Sequence, residues 1–78
     1  MTDQPGATLV DVRGLNCPIP LLKTKRAMAV AAPGESVVVL VTDSDSVLDI
    51  RGYAQLDGIG ISVSEEPSGV WRLALRKP

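Results

Sequence analysis

The chain has 78 residues, of which 45% are hydrophobic and 22% are charged, and its formal net charge is −1. This length suits a single domain over residues 1–78 and leaves no room for a second. The near-neutral charge, with one tryptophan and one tyrosine, argues against nucleic-acid binding, which needs a basic surface and stacking side chains. One cysteine and no histidine exclude an internal disulfide and leave no plausible zinc or haem site.

The N-terminal residues 1–6 lack the basic start and the apolar run of a signal peptide. No segment of the sequence has the apolar length that a membrane span requires. We therefore expect a cytoplasmic protein with no membrane partner, in which residues 1–6 form a flexible tail.

Residues 8–12 carry the β-branched side chains of a short first strand, and the turn that follows holds the only cysteine, Cys17. Pro18 suits the first position of a helix because its missing N–H would have no partner there, so Cys17 is the predicted N-cap. The helix dipole and the remaining amides of Ile19 and Leu21 would favour a thiolate. We therefore expect the pKa of Cys17 to lie below the free value of about 8.5.

A lone cysteine is more often a small buried hydrophobic residue than a functional one. Here the Gly-Leu-Asn turn before Cys17 and the two prolines after it predict a loop tip and a helix start, which are usually surface positions. We interpret Cys17 as an exposed, reactive residue.

The first helix is predicted from Pro18 to about Ala31, where Pro33-Gly34 ends it. One face of this helix is assigned to the core: Leu21, Thr24, Ala27, Met28 and Ala31.

The opposite face mixes basic and apolar side chains: Ile19, Leu22, Lys23, Arg26 and Val30. Basic residues on a helix are usually only solvated. Apolar residues beside a reactive group, however, are seldom left in water unless a partner covers them. We therefore interpret these five residues as a docking face.

Residues 36–41 form a continuous apolar run, which is typical of a central strand. Asp43 follows as the predicted N-cap of a second helix that ends at Gly58. The apolar residues of this helix recur at helical spacing: Val47, Ile50 and Ala54. We favour a capping role for Asp43 over a contact with a partner.

Two alternating runs, residues 59–64 and 70–76, predict strands joined as a final antiparallel hairpin. Trp71 falls in the inward phase with Leu73 and Leu75, so we expect it in the core. The element order is strand, helix, strand, helix, strand, strand. Because the alternation leaves one sheet face wet, we predict an α+β fold, a two-layer α/β sandwich with both helices on one face.

Residues 13–20 (RGLNCPIP) match the Arg-Gly-Leu-x-Cys-Pro-x-Pro signature of the TusA/SirA-like sulfur carriers, and the chain resembles this family from Val10 to the last strand. The resemblance implies a four-stranded mixed sheet under two helices and a persulfide carried on Cys17. It also implies that Arg13, Gly14, Pro18 and Pro20 support this site. Ser44 departs from the family, which commonly has a proline there.

The resemblance further implies a sulfur donor, either a cysteine desulfurase or a rhodanese-like enzyme, and a separate acceptor protein. Family members serve tRNA thiolation, molybdenum-cofactor assembly and sulfur oxidation. No cofactor is expected besides the persulfide sulfur.

The residue types limit the chemistry of Cys17. Without a histidine or a second cysteine, the chain has neither a Cys-His pair nor an internal resolving thiol. It is thus at most a sulfurtransferase that acts through a Cys17 persulfide with partner proteins. The alternative is a redox-sensing or regulatory interaction module that uses Cys17. The hypothesis of a thiol peroxidase is weaker still, because Arg13 is the only cation near Cys17 in the sequence.

Overall fold

Residues 7–78, which the computed structural model describes, form two helices and four strands in the predicted order. The tail predicted for residues 1–6 lies outside the described residues. The elements are β1 (Ala7–Asp11), α1 (Ile19–Val30), β2 (Ser36–Val41), α2 (Ser44–Leu56), β3 (Gly60–Glu65) and β4 (Trp71–Arg76).

The four strands form one mixed sheet in the order β1-β2-β4-β3. β1 and β2 are parallel, whereas β4 is antiparallel to both of its neighbours. β2 is central, as its apolar run predicts, and it pairs with β4 along its whole length, from Ser36 opposite Arg76 to Val41 opposite Trp71. The predicted hairpin of β3 and β4 is also confirmed.

Both helices pack on the sheet and form the second layer of the predicted α+β sandwich. α1 contacts β1 and β2, and α2 contacts β2, β3 and β4. Alternate side chains of the two central strands are fully buried between the layers: Val37, Val39, Val41, Leu73 and Leu75. Burying each of these side chains contributes about 1.5–3 kcal/mol to the free energy of unfolding.

The core contacts of α1 differ in part from the prediction. Thr24 and Met28 are buried, but Leu21, Ala27 and Ala31 are only partly buried at the edge of the core. Pro20 is buried, although it was predicted only as a residue supporting the site. The Thr24 hydroxyl donates to the Pro20 carbonyl oxygen at 2.8 Å, which lets this polar side chain lie in the core without an unpaired group.

Two further features differ slightly from the prediction. The first strand ends at Asp11, one residue before the predicted end, yet Val12 is fully buried and its N–H donates to the Leu40 carbonyl oxygen at 3.0 Å. Trp71 packs against the core but stays partly exposed, because it begins β4 at the end of the sheet.

Candidate functional site

The candidate site forms where the loop after β1 meets the turn after β2. Because these strands are parallel neighbours, their carboxyl ends lie at the same edge of the sheet. The Gly14 N–H donates to Thr42 Oγ1 at 2.8 Å, and the Cys17 N–H donates to Asp43 Oδ2 at 3.0 Å. These two hydrogen bonds fix the backbone of the cysteine loop against the start of α2.

Gly14 supports this loop through its backbone. Its φ angle is +81°, in the left-handed region that glycine adopts readily and other residues adopt at a cost. Apart from the two residues next to it in the chain, no described residue has an atom within 4 Å of the position that a Cβ would occupy. The glycine of the motif is therefore required by conformation and not by lack of space.

Cys17 is exposed, as predicted, but it is not the N-cap of α1. The helix begins at Ile19, its N-cap is Pro18, and Cys17 lies one residue earlier. The Ile19 N–H, an expected donor to the sulfur, donates instead to the Asn16 carbonyl oxygen at 2.9 Å. The Cys17–Pro18 peptide bond is cis. Because Cys17 precedes the N-cap and the Ile19 N–H is bound to Asn16, that amide does not stabilise a thiolate on Cys17 as predicted.

The Cys17 thiol faces the second helix. Its Sγ donates a hydrogen bond to Asp49 Oδ2 at 2.8 Å, although the two residues are 32 positions apart in the sequence. Asp49 is partly buried on α2 and was not among the predicted site residues. The one sequence signal that could have indicated it is the i, i+4 spacing of Asp45 and Asp49, which places two carboxylates on one side of α2.

The hydrogen bond to Asp49 is the largest cause that raises the pKa of Cys17 to about 11, since the donated proton must stay on the sulfur. Partial desolvation and the negative charges of Asp49, Asp43 and Asp45 act in the same direction. The prediction of a lowered pKa is therefore wrong. It considered only the dipole of α1, whereas the sulfur lies beside the carboxylates of α2.

Asp43 lies at the predicted N-cap position of α2, although its side chain makes no capping hydrogen bond to the helix, and it also holds the cysteine loop. Its carbonyl oxygen accepts from the Ser46 and Val47 N–H groups, at 3.1 and 3.3 Å. Its side chain accepts from the Ser46 hydroxyl at 2.8 Å as well as from the Cys17 N–H. The hydrogen bond from the Ser46 hydroxyl is the largest cause that lowers the pKa of Asp43, and the bond from the Cys17 N–H is the second.

Arg13 is bound to Asp11. The guanidinium donates to both carboxylate oxygens, at 2.9 and 2.7 Å, and the Arg13 N–H donates to one of them at 3.1 Å. These hydrogen bonds lower the pKa of Asp11 to about 2 and raise that of Arg13. Arg13 therefore supports the strand end before the loop, and its engagement with Asp11 argues against a role as the cation of a thiol peroxidase.

The two prolines of the motif have different surroundings. Pro18 is exposed and precedes α1, whereas Pro20 is fully buried in its first turn. The motif thus combines an exposed cysteine with a buried proline that seats the helix on the sheet.

All five residues of the predicted docking face are exposed, including the apolar side chains of Ile19 (44%), Leu22 (56%) and Val30 (81%). A groove of about 480 Å³ separates this face from β1, and Lys23, Arg26 and Val30 line it. The exposure is what a docking face requires, and its contact with a partner stays a prediction.

A second surface with exposed apolar residues lies on α2 and was not predicted from the sequence. Leu48 and Leu56 line a groove of about 440 Å³ between the two helices, which Asp49 also lines. Exposed apolar side chains therefore lie on both helices, and Asp49 connects the groove on α2 with the Cys17 thiol.

Residues 7–78 contain no cluster of metal ligands and no membrane-spanning helix. In that range, no three or more Cys, Asp or Glu side chains come together so that they could hold a metal ion. Neither helix in the same range combines the length and the apolar character of a membrane span.

Comparison with known proteins supports the resemblance that the motif predicts. Residues 8–77 match the family described as Sulfurtransferase TusA. A provisionally named sulfur carrier protein of Halobacterium salinarum is 42% identical over 69 residues, covering 87% of this chain and 85% of that protein. The sulfur carrier protein TusA of Allochromatium vinosum is 32% identical over 68 residues, covering 87% and 90%.

The fold is also similar to that of a solved structure. The crystal structure of a SirA-like protein from Desulfitobacterium hafniense superposes with a TM-score of 0.82 at 28% identity, covering 88% of this chain and 95% of that chain. Sequence and fold agree over nearly the whole described chain, including the cysteine loop, and on these grounds the chain belongs to the TusA family.

Proposed function

We propose that this protein is a sulfur carrier that receives sulfane sulfur on Cys17 as a persulfide and passes it to an acceptor protein. The observation that supports this most directly is the exposed thiol of the family motif, on a backbone fixed by Asp43. Relatives that carry the name of sulfur carrier proteins match most of the chain. The sulfur would be held covalently, so the role needs no cofactor.

The proposed transfer is an exchange between sulfur atoms. Cys17 Sγ attacks the outer sulfur of the donor persulfide, a new S–S bond forms, and the S–S bond of the donor breaks. The donor leaves as a thiol, since the proton that Cys17 loses ends on the departing sulfur. An acceptor thiolate later removes the outer sulfur from Cys17 in the same way. No net oxidation occurs in either step.

Partners must approach the surface around Cys17, because the donor has to bring its persulfide within bonding distance. We propose that the docking face of α1 receives them. Lys23 and Arg26 would attract an acidic surface, and Ile19 and Leu22 would be covered by apolar side chains. A cysteine desulfurase or a rhodanese-like enzyme is the proposed donor. The acceptor would belong to tRNA thiolation, molybdenum-cofactor assembly or sulfur oxidation.

The alternative role, a redox sensor, is less compatible with the electrostatics of the site. Sensor cysteines are usually exposed thiols of low pKa, which react with peroxide as thiolates. Cys17 is exposed, but its pKa is raised to about 11. At pH 7 only about one molecule in 10,000 would carry the thiolate.

The test is sulfur loading followed by intact mass spectrometry. The protein is incubated first with glutathione persulfide and then with a cysteine desulfurase and L-cysteine. We expect the wild type to gain the mass of one sulfur atom, which dithiothreitol removes, and Cys17→Ser to gain none. The serine variant should keep its melting temperature, because the side chain is exposed and a hydroxyl can still donate to Asp49. Rapid oxidation by peroxide without sulfur loading would favour the sensor and refute the carrier.

A further inference from the structure

The reactive sulfur is held by a hydrogen bond between two parts of the fold. Cys17 Sγ, on the loop after β1, lies 2.8 Å from Asp49 Oδ2 on α2. The backbone of Cys17 is fixed independently, because its N–H donates to Asp43 at 3.0 Å. An ionised sulfur at this distance would face a carboxylate oxygen with no proton between them. The contact therefore suits the thiol and not the thiolate.

The charges around the sulfur favour the same protonation state. The carboxylates that act on the thiol lie at the start of α2 and in its first two turns: Asp43, Asp45 and Asp49. Two cations of the neighbouring elements are engaged elsewhere, since Arg13 pairs with Asp11 and Lys25 Nζ lies 5.6 Å from the centre of the Tyr53 ring. The remaining cations of α1, Lys23 and Arg26, line the groove on the side of β1.

We infer that Asp49 holds the proton of Cys17 in the unloaded protein and so keeps the sulfur weakly reactive until a sulfur donor is bound. This role rests on the proposed carrier function, since an idle carrier would otherwise expose a nucleophile to oxidants and electrophiles. In the transfer step, the proton held at Asp49 is the one that ends on the departing sulfur of the donor.

The same contact distinguishes the unloaded from the loaded carrier. A persulfide has no hydrogen on Cys17 Sγ, so the bond to Asp49 cannot form. The outer sulfur carries the acidic proton of a persulfide, and it ionises more readily than a thiol. The carboxylates of Asp43, Asp45 and Asp49 repel that anion. The loaded sulfur is therefore directed away from α2, towards an approaching acceptor.

The test measures the rate of alkylation of Cys17 by iodoacetamide against pH. Asp49→Asn removes the charge and keeps the shape, so we expect its midpoint to fall by about one to two pH units. At pH 7.5 the alkylation rate should rise about threefold for each pH unit by which the midpoint falls. The larger thiolate fraction raises the rate, and the lower nucleophilicity of a less basic thiolate partly offsets this gain. Asp49→Glu should keep a midpoint near that of the wild type.

Two matched variants separate the hydrogen bond from charge alone. Asp45→Asn removes a charge that acts on the sulfur without a hydrogen bond to it, so its midpoint should fall by less than that of Asp49→Asn. Asp57→Asn removes a charge at the far end of α2 and should leave the midpoint unchanged. Circular dichroism checks that each variant keeps the fold.

A midpoint in Asp49→Asn equal to that of the wild type, or an equal fall in Asp57→Asn, would overturn the inference. Loading of the same proteins by glutathione persulfide distinguishes a failure of the proposed Asp49 role from a failure of the proposed carrier function. A wild type that takes up sulfur while Asp49→Asn keeps the wild-type midpoint overturns the role of Asp49 alone. A wild type that takes up no sulfur refutes the carrier function, whereas a lowered midpoint in Asp49→Asn would still support proton holding by Asp49.

Discussion

In the wild-type protein at pH 7.5, Cys17 should react with iodoacetamide about 20-fold more slowly than cysteine in an unstructured peptide. With a pKa of about 11, about one thiol in 3,000 is ionised at this pH, against about one in ten for a peptide thiol of pKa about 8.5. The higher pKa makes each thiolate more nucleophilic, by about tenfold to twentyfold, which offsets part of this deficit. The assay compares alkylation rates from pH 7 to pH 11.5 by mass spectrometry.

The proton of the Cys17 thiol also affects the stability of the fold. The raised pKa of this thiol determines the direction in which stability changes with pH. The folded protein keeps the thiol proton to a higher pH than the unfolded chain, so the stabilisation is complete below pH 8. It is lost as the pH rises from about 8.5 towards 11. The melting temperature of the wild type should therefore fall more over this window than that of Cys17→Ser, in which all other groups titrate alike. In the alkylation assay, a rate for wild-type Cys17 at or above that of the peptide cysteine would refute the reasoning for both measurements.

The remaining predictions concern the loop and the docking face. Gly14→Ala should lower the free energy of unfolding by about 1–2 kcal/mol in urea denaturation, because alanine at a φ of +81° is strained. Gly52→Ala, in the open interior of α2, should raise it by about 0.5–1 kcal/mol; a loss in both variants would contradict a conformational cause. Lys23→Glu should slow sulfur transfer from the donor by up to about tenfold, more strongly at low salt, and Leu22→Ala should speed dissociation. Arg72→Glu on β4 is the control, and equal losses in all three variants would show that partners dock elsewhere.

The fold could be predicted from the sequence because its determinants are local. The alternation of β3 and β4 and the apolar run of β2 each predict a strand without knowledge of its neighbours. Asp43 and Gly58 then mark the two ends of α2. The buried positions of α1 were harder to predict, since the pattern gives a face but not the depth at which the helix sits on the sheet.

The exposure of Cys17 was also predictable, whereas its electrostatic state was not. Cys17 lies in a short motif whose exposure follows from its own turn residues. The sign of its pKa shift depends on Asp49, 32 residues away, and on how α2 packs beside the loop. The prediction from the dipole of α1 takes no account of α2, whose carboxylates lie beside the sulfur.

The acidic surroundings of the sulfur follow from the topology of the sheet. The parallel pairing of β1 and β2 brings the ends of both strands to one edge, so the cysteine loop must meet the start of α2. A helix start favours acidic side chains, because they complement its dipole and cap its free N–H groups. Asp43 and Asp45 fit that local requirement, and Asp49 extends the same charge by one turn. Thus the acidic residues suited to begin α2 act in the same direction as the hydrogen bond to Asp49, and the helix that faces the sulfur determines its charge.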